Sequence, residues 1–367
     1  MVNVDVVNGN EAKEEWNQFL NESENASFAS LFNWKAIYEE VFGFKTFYLL
    51  IKDVRKIRGI LPIVLIKSPL IGKGSFLIST PYLTQSGLCL NGISFDPSPV
   101  INTLSKLIKE CGVRYVEIRQ IVPFTPPLPS PLEGEGKGGV FFTRKDNFTF
   151  QIDLSKGAEK LWEGFTPKVR NQIRKAQKSG IEIITGKDRY FINGFYQVFS
   201  KRMKELSFPA YPKSYIESII KNLNNNSRIL LALYKDKVVG GMLLLSFKDT
   251  ISNPYAATLV EYNSLCSNNL MYWEAIQQGA RDGFSIFDMG RSQEGRGTYN
   301  FKKQWGAVPI QLYYQYLFAE EEKGNEEKFF NLEGSPFFNI YSSVWRRLPT
   351  PFANLIGGYL VKQLYTA

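Results

Sequence analysis

Apolar and polar positions alternate along this chain in two passes of similar order. In the first, "VNVDVV" (Val2–Val7) reads as a strand, and helical spacing follows over Glu11–Leu20 and Phe32–Val41. Thr46–Ser68 is rich in Val, Ile and Leu on both sides of a charged turn, which predicts two strands. A helix near Pro97–Cys111 and a strand at Val113–Gln120 come next. From Asp146 the order recurs. "NFTFQIDL" predicts a strand, Leu161–Ser179 a helix, Ile181–Thr185 a strand, and Asp188–Leu206 and Lys213–Leu223 two helices. Three antiparallel strands follow, with turns at "KDK" and "KDT". The next helix takes Asn268 or Asn269 as its cap, carries Leu270, Trp273 and Ile276 on one face, and stops at Gly283. "FSIFDMG" predicts a strand, "TYNFKKQWG" a short helix and "PIQLYYQYLF" a last strand.

The pattern predicts an α+β protein with mixed or antiparallel sheets flanked by helices. Its expected domains are 1–150, 151–334 and an amphipathic tail, 335–367. The duplication rests on element order, since no residue-level repeat stands out. Within the first domain, residues 124–139 are almost all Pro, Gly, Ser and Glu, and cannot build a core. The tail is broken at Pro349 and Pro351. Its apolar stripes are expected to pack on a core, with a membrane surface as the alternative.

Composition narrows the chemistry. Histidine is absent, which removes Ser-His-Asp and Cys-His catalysis and His-ligated zinc. A general base must be a carboxylate, a tuned lysine, a tyrosine or the substrate. Cys89, Cys111 and Cys266 lack metal spacing, so reduced thiols and no metal are expected. No apolar run is long enough to span a membrane, and the start of the chain lacks the features of a signal peptide. A cytoplasmic location is expected, with peripheral contact at the inner membrane as an addition. The net charge of +9 favours anionic partners.

The candidate chemistry gathers in "FDMGRSQEGRGTYNFKKQWG" (Phe287–Gly306). Strand alternation puts Asp288 at the strand exit, beside a loop freed by Gly290, Gly295 and Gly297. Thr298 is the expected helix cap, which would place Lys302 close to the first turn, where anions are attracted. Tyr299, Lys302 and Lys303 share one face of that helix, and Phe301 and Trp305 another. Cations there are unfavourable by about 0.3–1 kcal/mol each unless an anion is bound. Arg291 and Arg296 have the fork geometry for phosphate. A second basic stripe, Arg170, Arg174 and Lys178, suits the phosphates of tRNA, a nucleotide-sugar or a lipid-linked precursor.

These residues resemble the FemAB family of the GNAT superfamily, and most closely the FemAB-related proteins associated with PEP-CTERM/exosortase systems. The resemblance is carried by "MYWEAI", "FDMGRS", "GTYNFKKQWG", "KVRNQIRKAQKSGIEI" and "RMKELSFPAYP", with "FNWKAIYEEVFG" and "GILPIVLIKSPLIG" in the first half and "WRRLPTPFANLIG" in the tail. It implies two tandem GNAT-like domains with the active cleft in or beside the second. It also implies transfer of an aminoacyl or acyl group to an amine of a peptidoglycan or exopolysaccharide precursor. The donor is an aminoacyl-tRNA or an acyl-CoA, with no permanently bound cofactor and no DNA partner. Lys302, after Phe301, would hold the tRNA end or stabilise developing negative charge together with Arg291. Asp288 would orient a loop donor or accept a proton. Trp273, Tyr299 and Trp305 would shape the cleft, with Asn269, Arg296, Lys303, Arg170 and Arg174 also binding substrate.

Two stretches depart from relatives. There is no long heptad-rich arm. "VEYNSLCSNN" (Val260–Asn269) also lacks the glycines of the pyrophosphate loop used by acyl-CoA enzymes. The alternatives are an acyl-CoA-dependent N- or O-acyltransferase and a non-catalytic GNAT-like module of an envelope assembly.

Overall fold

The computed structural model describes residues 2–7, 9–54, 56–67, 74–85, 87–91, 96–124, 141–323 and 336–362. Its elements run β1 (Val2–Val7), α1 (Lys13–Glu22), α2 (Trp34–Phe42), β2 (Lys45–Asp53), β3 (Lys56–Ile66), β4 (Phe76–Ile78), β5 (Cys89–Leu90), α3 (Ser98–Cys111) and β6 (Tyr115–Gln120). They continue with β7 (Phe142–Asp153), α4 (Gly157–Gly164), α5 (Pro167–Lys178), β8 (Ile181–Gly186), α6 (Arg189–Glu205), α7 (Lys213–Asn222), β9 (Ser227–Tyr234), β10 (Lys237–Phe247) and β11 (Thr250–Thr258). The last are α8 (Ser267–Arg281), β12 (Ile286–Gln293), α9 (Gly297–Lys303), β13 (Val308–Phe318), α10 (Pro336–Arg347) and α11 (Thr350–Leu360). Two compact units emerge. One comprises Met1–Asn147, Gln311–Ser335 and Lys362–Ala367, the other Phe148–Ile310 and Pro336–Val361.

In the first unit the strands lie in the order β1-β2-β3-β4-β6, with β5 on β3 and Tyr313–Phe318 of β13 antiparallel to β6. Val100, Leu104, Leu107 and Ile108 form the buried ridge of α3, at the spacing of one helix face. They pack with Leu49, Ile51, Leu61 and Ile63 of the central hairpin. Phe124 is buried in this core, and residues 125–139 of the Pro/Gly insert lie outside the described residues.

The second unit has the order β7-β12-β11-β10-β9-β8. Its core is filled from α5 and α8 by Val169, Ile173, Leu270, Trp273 and Ile276 against Leu230, Met242 and Phe287. Four local expectations need correction. Leu161–Ser179 is two helices, because the Thr166 hydroxyl accepts from the Val169 N–H and Pro167 opens the next helix. Helix α8 starts at Ser267 after Cys266 in the left-handed region (φ 57°), so Asn268 and Asn269 sit in its first turn. Strand β12 runs on through Gly290 and Arg291 to Gln293. Arg296, not Thr298, precedes α9, and the brevity of that helix leaves Lys302 in its last turn.

The tail packs as expected where it is described. The Trp345 indole donates to Phe208 O at 3.3 Å, and Ala353, Gly357 and Val361 are buried.

Each half pairs two strands in parallel. Leu77↔Val116 and Ile78↔Glu117 join β4 to β6. Thr250↔Ile286, Ile251↔Phe287 and Ser252↔Asp288 join β11 to β12. Both registers end on a buried carboxylate. "VEIRQ" and "FDMGRSQ" therefore correspond, with Gly290 an extra residue before the arginine and Ser292 another after it. Gly290 takes φ +75°, and a Cβ there would lie 2.9 Å from Asn253 O. Gly290→Ala is expected to lose about 2–3 kcal/mol, from left-handed strain plus the clash, measured by denaturant unfolding.

Candidate active site

Past Ser252 and Asp288 the register between β11 and β12 stops. Backbone groups released there need other partners, and Lys302 supplies them. Its Nζ donates to Gly290 O and to Arg291 O, each at 2.8 Å, and stands 5.7 Å from the centre of the Phe150 ring. The side chain reaches inward because α9 is a single short helix directly after the strand that it clamps.

Lys302 is 6% exposed. Burial disfavours its charged form and lowers its pKa to about 7; the Asp288 charge pulls it up and the Arg291 charge pushes it down. A neutral lysine amine has two N–H donors and one lone pair. The two carbonyls use both donors, leaving the lone pair to accept a proton. The folded protein thus releases this proton near pH 7, and the unfolded chain near 10.5. Between those values the unfolded chain binds more protons, so stability rises with pH. Wild type should gain stability relative to Lys302→Met from pH 7 to 10, read as the difference in denaturation midpoints.

Asp288 is buried on β12. It accepts from the Thr149 hydroxyl at 2.7 Å and from the Gly290 N–H at 2.7 Å. Burial raises its pKa, while bonds from Thr149 and Gly290, the Lys302 charge and a bond from Gln151 pull it down. Asp288 lies inside the strand, not at its exit.

Tyr299 packs edge-on to Phe150 at 4.9 Å, beside the lysine. Arg291, Arg296 and Lys303 are exposed, so Lys303 does not share the burial of Tyr299 and Lys302. Trp305 is core, with its ring 5.0 Å from Phe165 and 6.0 Å from Tyr272. Asn253 Nδ2 donates to the Tyr272 hydroxyl at 2.8 Å, whereas Asn253 Oδ1 and Trp305 Nε1 are buried without a partner.

The remaining expected residues form a second group. Trp273 packs on Trp162 and Phe165 at 5.1 and 5.5 Å. Asn269 donates to Gln172 at 3.1 Å, tying α8 to α5. Arg170 donates to Glu163 O at 2.7 Å, at the C-terminal end of α4, and Arg174 stands over Trp162 at 5.3 Å. Phe165 touches both Trp273 and Trp305 and links the two groups. Sequence reasoning missed Thr149, Gln151, Asn253 and Tyr272.

The parting parallel strands, with helices on the sheet, agree with what comparison finds. Residues 165–303 match the profile of an acetyltransferase (GNAT) domain. The chain has the GNAT fold. A structure of FemX is similar over 84% of this chain and 96% of that one, with a TM-score of 0.62 and 14% identity. A tandem GNAT protein from the clavulanic acid biosynthesis pathway matches over 86% and 98%, at 0.54 and 9%. The C-terminal domain of an Agrobacterium fabrum protein, described as a lysylphosphatidylglycerol synthetase, matches over 74% and 84%, at 0.51 and 13%. No curated protein sequence matches the chain. Tandem GNAT architecture accounts for the repeated parallel pair, and the profile match falls on the half that holds Lys302. Among the described residues no helix is long and apolar enough to cross a membrane.

Proposed function

We propose that the second unit transfers an aminoacyl or acyl group to an amine, with Lys302 as the group that takes the proton of the attacking amine. The observation that supports this most is a buried amine with pKa about 7, held by two carbonyls where β11 and β12 part. In a chain without histidine this is a base matched to neutral pH. The neutral acceptor amine attacks the carbonyl carbon of the donor. The C–O bond of an aminoacyl ester, or the C–S bond of a thioester, then breaks, and the departing oxygen or sulfur takes a proton. Burial lowers the basicity of Lys302 and the Asp288 charge pulls it partly back up, and the exposed Arg291 and Arg296 grip donor phosphates. Tyr299 and Trp305 hold the lysine and its strand in place. Trp273, Asn269, Arg170, Arg174 and Lys303 belong to the surrounding wall.

The FemAB resemblance favours an aminoacyl-tRNA donor and a peptidoglycan or exopolysaccharide precursor as acceptor. The similarity to FemX and to a lysylphosphatidylglycerol synthetase domain is in keeping with this. Such donors place the reaction in the cytoplasm.

One observation favours acyl-CoA instead. The Ser267 hydroxyl is buried without a partner at the start of α8, a helix end suited to phosphate. Cys266 there supplies the left-handed turn without glycine.

Native mass spectrometry of the protein with CoA thioesters and aminoacylated tRNAs tests the donor. Retention of charged tRNA, followed by transfer to a precursor amine, supports the first reading. Retention of a CoA thioester alone moves the assignment to acyl-CoA. Turnover of neither donor with any amine would sink the proposal.

A further inference from the structure

We infer that the outward face of α11 is a docking surface for an anionic lipid bilayer. Between Thr350 and Leu360 the helix carries no charged residue. Its inner ridge, Ala353, Gly357 and Val361, recurs every four residues and is buried. A Cβ at Gly357 would stand in ordinary contact, 3.4 Å from the backbone of Ala210, so this ridge lies directly on the segment before α7. The opposite ridge is apolar too. Phe352, Leu355 and Tyr359 are 50%, 76% and 61% exposed, and Val344 of α10 adds a fourth exposed apolar side chain.

A surface helix ordinarily presents polar residues on the face turned away from its core, and one that is apolar all round calls for an apolar neighbour. The contrast within this unit is direct, since α5 exposes Lys168, Arg174, Lys175 and Lys178 over an equally well buried ridge. With 11 residues, α11 is about 16 Å long, roughly half the hydrocarbon thickness. It would lie in the interface, where the ring and hydroxyl of Tyr359 suit the headgroup level.

Charge selects the occupant. Arg346 and Arg347 end α10, with two residues between it and α11, and are exposed, and Lys362 follows α11. Residues 336–362 contain no Asp or Glu. The Arg346 Nε also donates to the Ser207 hydroxyl at 2.6 Å, so one cation is anchored beside the patch. A second copy meeting this face by two-fold symmetry would bring cations against cations. Anionic headgroups around an apolar interior match both features.

Full-length protein should sediment with phosphatidylcholine vesicles that contain phosphatidylglycerol, and about tenfold less with phosphatidylcholine alone. Leu355→Ser with Tyr359→Ser should cut that binding at least about tenfold. Arg347→Glu with Lys362→Glu should cut it about fivefold per charge and more at low salt. Leu355, Tyr359 and Arg347 are exposed and Lys362 is half-buried, and circular dichroism and the melting temperature should stay as in wild type. If the serine pair fails to fold, the charge pair alone decides. No binding to phosphatidylglycerol vesicles overturns the inference, as does binding unchanged in the folded variants. A dimer in sedimentation velocity that Leu355→Ser converts to monomer also overturns it, because the face then meets a second copy.

Discussion

Lys302→Met is expected to lower transfer about 10²–10⁴-fold with an identified donor and acceptor. Methionine fills much of the same volume but neither accepts the proton nor serves the carbonyls of Gly290 and Arg291. The stability cost should be about 1–3 kcal/mol for the released carbonyls, offset at neutral pH by relief from burying the amine. The kinetic loss therefore reflects chemistry rather than unfolding. The pH profile gives the sign. The base acts in its neutral form, so kcat/KM should climb through pH 7 and then level, since the amine titrates at about 7. In Lys302→Met that inflection should vanish. Lys302→Arg should not restore it, because a guanidinium does not deprotonate in proteins. A rate that instead falls above pH 7 would mean that the ammonium form is active and stabilises the oxyanion.

Asp288 should show the second large effect. Asp288→Ala removes the acceptor for Thr149 and Gly290 and is expected to destabilise by about 2–4 kcal/mol in thermal or denaturant unfolding. Asp288→Asn keeps an acceptor oxygen and should cost much less. Its informative effect is on Lys302. The Asp288 charge raises the lysine pKa, so its loss moves the kinetic inflection below pH 7. A second sign follows from the carboxyl group. Its folded pKa is raised, so its contribution is fully present below the unfolded pKa and fades as pH rises through the folded value. The stability of Asp288→Asn relative to wild type should therefore improve with rising pH. An inflection fixed at wild-type pH would uncouple the two residues.

The order of elements was legible because burial leaves period-two and period-3.6 marks that local reading detects. The placement of Lys302 was not. It depends on β12 continuing past Gly290, and on α9 being so short that a lysine expected near its start falls at its end. The first depends on a neighbouring strand distant in sequence, β7. Thr149, which fixes Asp288, lies 139 residues upstream. A signal did exist in "NFTFQID", where Asn147, Thr149 and Gln151 alternate with Phe148, Phe150 and Ile152. Such polar alternation is ordinarily solvated, but here Asn147 and Thr149 are buried. Trp273 and Trp305 are expected in the cleft because they neighbour cations in sequence, whereas their rings pack in the core. The correspondence of "VEIRQ" with "FDMGRSQ" is masked by two extra residues, Gly290 and Ser292.

The sheet of the first unit ends on a strand segment from far along the sequence, whereas β7 residues of the second unit run directly into the rest of that unit. Residues 313–318 close the first against β6, and residues 148–153 lie next to β12 in the second. A gene cut near codon 150 would therefore not yield two working proteins. The N-terminal fragment would leave β6 as a bare edge, a template for aggregation. The first unit thus depends on residues 311–335, encoded after Phe148–Ile310, and its N-terminal stretch of gene cannot be inherited alone.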